Sequence, residues 1–147
     1  MIVVPYQEWH FKLLELEGPE KKLLENYGPN LKNIHRALKT SGVTFSWWED
    51  KKILGICGIV PMWTGVGEAY MFLSPEFKKR KIRCIKDIKN YLDLITKQFK
   101  FHRLNCYVIK DFEKAVRLAE FFGFEIEAEL KKYGPNKENF YLMRRLI

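Results

Sequence analysis

Between Tyr6 and Leu16 the apolar residues Trp9, Leu13 and Leu16 recur at helical spacing, so the pattern predicts a first helix there. Gly18-Pro19 interrupts it, Leu23 and Leu24 mark a short second helix, and Gly28-Pro29 interrupts again. Pro29 suits a first helical position. Leu31, Ile34, His35 and Leu38 form the stripe of a third helix, with Gly42 as its left-handed stop. At Val43 the period changes. Val43 to Trp48 is β-branched and aromatic, Glu49-Asp50-Lys51 reads as a turn, and Lys52 to Val60 is a second apolar run, which together predict a hairpin. Gly55 and Gly58 inside that run point to a bulge or a close backbone approach. After a break at Gly65 to Gly67, Glu68 to Leu73 reads as a third strand.

Ser74-Pro75 opens the longest predicted helix, which reaches about Phe99 on the stripe Ile82, Ile85, Ile88, Leu92, Ile95 and Phe99. Arg103 to Ile109 reads as strand. Asp111 is the expected N-cap of a helix that buries Phe112, Ala115, Val116, Ala119 and Phe122 and closes at Gly123. Phe124 to Lys132 and Asn139 to Arg145 form two last strands about the turn Tyr133-Gly134-Pro135-Asn136. This order predicts an α/β (α+β) architecture: a mixed, mainly antiparallel sheet of about six strands with helices on both faces. The long helix joins the third and fourth strands as a right-handed crossover, which makes them parallel neighbours. No repeat or Gly/Ser linker divides residues 1–147, so a single domain is expected.

Composition refines the picture. Hydrophobic residues at 47% and charged ones at 30% imply a packed core under a solvated surface rather than disorder. A formal charge of +8 favours polyanionic partners: nucleic acid, a nucleotide-bearing cofactor or an acidic protein surface. Cys57, Cys84 and Cys106 are widely spaced without metal-ligand spacing, so no metal site is expected and they read as buried thiols of a reducing compartment. No leader pattern opens the sequence and no apolar stretch approaches the roughly 20 residues that span a bilayer, so the expectation is a soluble, cytoplasmic protein.

The order of elements resembles that of the GNAT N-acetyltransferase superfamily. Glu68-Ala69-Tyr70-Met71-Phe72-Leu73-Ser74-Pro75-Glu76-Phe77 resembles the family's fourth strand and its exit into the cofactor loop. Lys114 to Phe124 resembles the later helix that carries Ala and Leu and ends in Gly-Phe, and Glu125 to Arg144 the closing hairpin. Small size and divergence also resemble acetyltransferase-like proteins of tailed bacteriophages, for which the host cytoplasm or the virion is the implied location. The resemblance implies an N-acetyltransferase that moves an acetyl group from acetyl-CoA to an amine acceptor. It implies a cofactor site in which Phe72, Leu73 and Ser74 lie beside thioester and pantetheine. The pyrophosphate would meet amides and helix dipole at the following helix N-terminus.

At that loop the sequence departs from the family pattern. Lys78-Lys79-Arg80-Lys81-Ile82-Arg83 stands where a basic residue and two spaced glycines belong, with Lys81 and Arg83 at the glycine positions. These cofactor-binding candidates would replace backbone cradling by direct charge, would bind nucleic acid, or would form a solvated basic face. Counting back from Gly123, Phe112 and Ala119 occupy the positions of a cofactor-contacting Asn and of the Tyr that acts as general acid. Glu68 remains as the catalytic candidate, a general base toward the acceptor amine, against the plainer reading of an exposed strand-end carboxylate. Tyr107 and Tyr133 are spare phenols, and His10, His35 and His102 read as structural. Two alternatives stay open beside the enzyme: a catalytically inactive GNAT-fold protein that binds a protein partner, and a nucleic-acid module that uses the Lys78–Lys89 helix with Trp47 and Trp48 for stacking.

Overall fold

The chain runs β1 (Ile2–Pro5), α1 (His10–Leu13), α2 (Gly18–Tyr27), α3 (Leu31–Thr40), β2 (Thr44–Glu49), β3 (Lys52–Trp63), β4 (Val66–Leu73), α4 (Pro75–Lys79), α5 (Lys81–Gln98), β5 (Arg103–Ile109), α6 (Glu113–Phe121), β6 (Glu125–Leu130) and β7 (Phe140–Leu146). This computed structural model describes residues 1–27, 30–40 and 43–147, and of Tyr27, Leu31, Lys81 and Ile82 the backbone alone. The expected breaks at Gly28-Pro29 and the stop at Gly42 lie outside the described residues.

The strands form one seven-stranded sheet in the order β1-β2-β3-β4-β5-β7-β6, one strand more than expected. All neighbours pair antiparallel except β4 and β5, which are parallel as the crossover required. The added strand is β1, which pairs with β2 from Ile2↔Trp48 to Pro5↔Phe45. The predicted β2–β3 hairpin forms around Asp50 and Lys51, both at positive φ (48° and 63°), a two-residue turn whose twist suits the strands it joins. The expectations for Gly55 and Gly58 both hold. The β2–β3 ladder shifts register at Trp47/Trp48, opposite Gly55 and Ile53. A Cβ on Gly58 would lie 2.4 Å from Thr44 Oγ1.

Helices cover both faces. On one, Tyr6, Leu14, Leu38, Ile53, Ile56 and Phe72 form a buried cluster beneath α1 to α3. On the other, Trp47, Leu73, Phe77, Ile88, Leu104 and Phe122 belong to the larger cluster beneath α4, α5 and α6. No helix among the described residues is long and apolar enough to cross a membrane.

Elsewhere the local expectations need correction. The predicted Tyr6–Leu16 helix contracts to α1, and its stripe is reversed: Trp9 is 48% exposed while His10 is buried. The long predicted helix is two. Ser74 caps α4 by accepting from the Phe77 N–H at 3.2 Å, with Pro75 in the first turn, and Arg80 separates α4 from α5. Phe112 rather than Asp111 stands at the N-cap of α6, with no side-chain bond. Gly123, at φ +88°, does close that helix in the left-handed region. Cys84 and Cys106 are buried thiols, whereas Cys57 is only half-buried.

His10 and His35 anchor the α1–α3 layer. The Gln7 N–H donates to His10 Nδ1 at 3.1 Å, and Ser46 Oγ lies 2.8 Å from the same nitrogen. The Tyr6 hydroxyl lies 2.9 Å from His35 Nδ1. Burial holds both imidazoles below the usual histidine pKa. A depressed folded-state pKa means that the unfolded chain binds more protons below its own pKa. Stability is therefore full above about pH 6.5 and is lost as the pH falls through that value toward the folded-state pKa. Urea melts should show a constant midpoint from about pH 8 to 7 and a falling one by about pH 5.5. A midpoint unchanged over that range would contradict neutral, buried imidazoles.

Candidate active site

β4 and β5 pair only over Val66↔Arg103, Gly67↔Leu104 and Glu68↔Asn105. Both strands run on, β4 to Leu73 and β5 to Ile109, while β5 stays paired with β7 up to Ile109↔Phe140. The two strands therefore part after Glu68/Asn105 and leave a gap in the middle of the sheet. Ser74 donates its N–H to the Leu54 carbonyl at 2.8 Å, so the Leu54–Ser74 pair lies at a hydrogen-bonded rung of the antiparallel ladder. Alternation then turns the backbone groups of Phe72 and Tyr70 toward β3 and those of Leu73 and Met71 toward the gap. Met71 and Leu73 thus present N–H and C=O groups to a cleft of about 1390 Å³. Obligatory backbone donors and acceptors facing such a space are ready to bind an extended ligand.

Glu68 stands at the apex. It lies inside β4 rather than at the strand's end, half-buried rather than exposed, and accepts the Tyr70 hydroxyl at 2.8 Å. Asn105, its rung partner, and Tyr107 share its face of the sheet by strand alternation. Desolvation first, and the Glu68 charge second, hold the Tyr107 phenol above the usual tyrosine pKa. The Cys106 thiol is pushed up to about 12 by the same causes, so it stays protonated and is no nucleophile. Tyr133, from the β6–β7 connection, stacks on Tyr107 with centroids 5.4 Å apart and planes 11° apart. Both phenols line the cleft, a placement that no local pattern announces.

The basic segment disperses rather than converging. Lys78 and Lys79 close the last turn of α4, where a helix end favours cations, and both line the cleft. Lys78 Nζ is 3.1 Å from Glu20 of α2 and lies 5.8 Å from the Phe112 ring centroid. Burial raises the Glu20 pKa and Lys78 opposes that rise. Arg80 turns to Glu49, which also receives the chain's N-terminal ammonium at 3.0 Å. Arg83 is exposed on α5, and the side chains of Lys81 and Ile82 lie outside the described residues. Lys114 and Arg117 of α6, which sequence spacing did not single out, line the same cleft. Phe72 packs on Phe11 in the α1–α3 layer with centroids 5.2 Å apart, and the Ser74 hydroxyl is used as the α4 cap.

Superposition on solved structures supplies the comparison. Ard1 from Thermoplasma volcanium matches with a TM-score of 0.77 at 13% identity, over 99% of this chain and 97% of that one. The ribosomal-protein-alanine N-acetyltransferase from Brucella melitensis matches with 0.71 at 13% identity, over the whole of both chains. A GNAT-family acetyltransferase from Bacillus anthracis matches with 0.70 at 13% identity, over 98% and 93%. The chain has the GNAT fold. No family model matches the sequence, and neither does any curated relative.

Within the GNAT fold, the positions of Phe112 and Ala119 gain meaning. Both line the cleft, Ala119 buried on α6 and Phe112 half-buried at its start beneath Lys78. Neither side chain donates a proton; the phenols lining the cleft around the apex are Tyr70 of β4, which is bonded to Glu68, Tyr107 of β5 and Tyr133 of the β6–β7 connection. Of the two tryptophans expected to stack on bases, Trp47 is 1% exposed and Trp48 packs edge-on against Trp9 with centroids 5.7 Å apart.

Proposed function

We propose that this chain is an N-acyltransferase that binds an acyl-CoA between β4 and β5 and transfers its acyl group to an amine. The observation that carries this reading is the parting of β4 from β5 after Glu68/Asn105, with the backbone groups of Met71 and Leu73 turned into the opening. These residues fit the pantetheine arm, whose amides need donors and acceptors along an extended edge. Lys79, Lys114 and Arg117 supply the cations that a diphosphate requires at the mouth. The acyl-CoA supplies an acyl group already activated as a thioester. Glu68 takes a proton from the acceptor ammonium so that the neutral amine is available. Tyr107, protonated through neutral pH, holds a proton at its phenolic oxygen for the departing sulfur. Glu17 and Glu20 line the cleft together with Glu68, and these carboxylates favour a cationic amine as acceptor. The free thiols fit a reducing cytoplasm.

Titration calorimetry with acetyl-CoA, followed by thiol release with an amine panel, tests the reading. Absence of heat at millimolar cofactor would overturn it. Tyr107→Phe keeps the ring and its stack on Tyr133 but removes the proton, so kcat should fall by about 100-fold with the cofactor affinity held. An unchanged kcat would assign the proton elsewhere.

A second reading has its own support. Ala119 lacks a phenol and Glu20 occupies Lys78, which suits a GNAT-fold protein that binds its ligand or a partner without turnover. Saturable acyl-CoA binding without thiol release from any amine would favour it.

A further inference from the structure

The cleft extends past the apex toward β2. Register pairing sets Phe45 of β2, Cys57 of β3 and Met71 of β4 in one rung across the sheet, on the face beneath α5. None of these side chains is fully buried, and neither are Ile85, Tyr91 and Leu92 of α5. All of them line the same cleft. A close-packed interior would bury apolar groups at this depth completely. The adjacent rungs close its sides, Gly55 under the Leu73 side chain and beside the buried Trp47, and Ala69 beside the buried Ile59. The opening thus continues as an apolar chamber between α5 and the sheet. Its far end at β2 lies two strand spacings from β4, roughly 10 Å.

The cleft of about 1390 Å³ includes this space beneath α5 as well as the gap between β4 and β5. An acetyl group on a thioester at the β4 edge would leave the chamber empty. No charged side chain stands in the rung or in the α5 positions above it, which excludes acyl groups that end in a carboxylate. We infer that the donor is a CoA thioester of a straight, medium-length fatty acyl chain, which lies under α5 along Met71, Cys57 and Phe45. This rests on the acyltransferase reading and specifies its donor. Dry apolar cavities take apolar ligands readily. Each methylene they bury strengthens binding by up to about fourfold, less the cost of ordering the chain.

Calorimetric titration of the intact chain with CoA and with acetyl-, butyryl-, hexanoyl-, octanoyl- and succinyl-CoA tests the inference. Octanoyl-CoA is expected to bind at least about tenfold more tightly than acetyl-CoA, with butyryl- and hexanoyl-CoA between them and succinyl-CoA no tighter than acetyl-CoA. Acetyl- and octanoyl-CoA within twofold of one another would overturn the chamber while leaving the acyltransferase reading intact. If neither CoA nor any thioester binds, both fall together. Cys57→Phe fills the floor of the chamber and Leu92→Trp its roof. Either variant, if folded by its melting curve, should bring octanoyl-CoA down to the acetyl-CoA affinity. A folded variant of each that retains the full preference for octanoyl-CoA would place the chain outside the chamber and overturn the inference.

Discussion

Glu68→Gln is expected to lower kcat/KM for the acceptor amine by at least about 100-fold, within the span of general-base contributions. The substitution is nearly isosteric, and the Tyr70 hydroxyl that donates to Glu68 at 2.8 Å can donate to the new amide oxygen. Position and packing are therefore kept while the proton acceptor is lost. Acyl-CoA affinity should change by less than about twofold, because Glu68 faces away from the β4 groups that meet the pantetheine. Tyr70→Phe isolates the positioning part: it frees the carboxylate to turn, and a fall of about tenfold is expected. Steady-state thiol release checks both. A Glu68→Gln enzyme within threefold of the parent would remove Glu68 from the chemistry, whereas weakened acyl-CoA binding would recast it as a binding residue.

The parts of the fold that were legible in the sequence are those whose pattern is local. The β2–β3 hairpin announces itself by two apolar runs around Asp50-Lys51, and α6 by Ala115, Val116, Ala119 and Phe122 ahead of Gly123. Where tertiary contacts choose the buried face, the pattern misleads. Trp9 and Leu13 look like a core stripe, yet α1 turns His10 inward because Ser46 and the Gln7 N–H satisfy its ring nitrogen. A polar residue that is buried because it is bonded leaves no mark in hydrophobic periodicity. β1 was missed for a related reason. It is a short edge strand ending at Pro5, and only its pairing with β2 identifies it. The division between α4 and α5 also escaped, since no Gly or Pro stands at Arg80 to mark it.

The candidate site divides in the same way. Glu68 and the strand edge at Leu73 were legible because they lie on one continuous segment whose order resembles a known family. The cations were read as one cluster, but adjacent residues on a tightening helix point in different directions. Lys78 reaches Glu20, Arg80 reaches Glu49 and Arg83 is exposed on α5, while Lys79 lines the cleft as do Lys114 and Arg117 from another helix. The Tyr107–Tyr133 stack joins β5 to the β6–β7 connection and needs the β5–β7 pairing to exist at all. Sequence spacing holds no record of such a contact.

Gly58→Ala should be the most destabilising small substitution in the sheet, at about 3 kcal/mol, the upper part of the usual overpacking range. The added Cβ would meet Thr44 Oγ1 at 2.4 Å and Thr44 Cα at 2.8 Å. The first clash can be relieved by a rotamer change, but the second is with backbone, and Thr44 is the register partner of Gly58 between two central strands. Neither strand can shift without loosening the ladder that carries β4 and so the cleft. The entropy lost from the unfolded chain offsets only about 0.4–1 kcal/mol of this. Gly18→Ala provides the contrast: it has φ +62° but nothing within 4 Å of the new methyl, so left-handed strain alone acts, at about 1 kcal/mol. In a domain of this size the first change should lower Tm by roughly 6–12 °C and the second by roughly 2–4 °C. Thr44→Gly paired with Gly58→Ala removes the Cβ clash but not the backbone one, so a double-mutant cycle should recover part of the loss. If Gly58→Ala melted within 2 °C of the parent, the close approach of β2 to β3 at this rung would be wrong, and with it the register that places Cys57 between Phe45 and Met71.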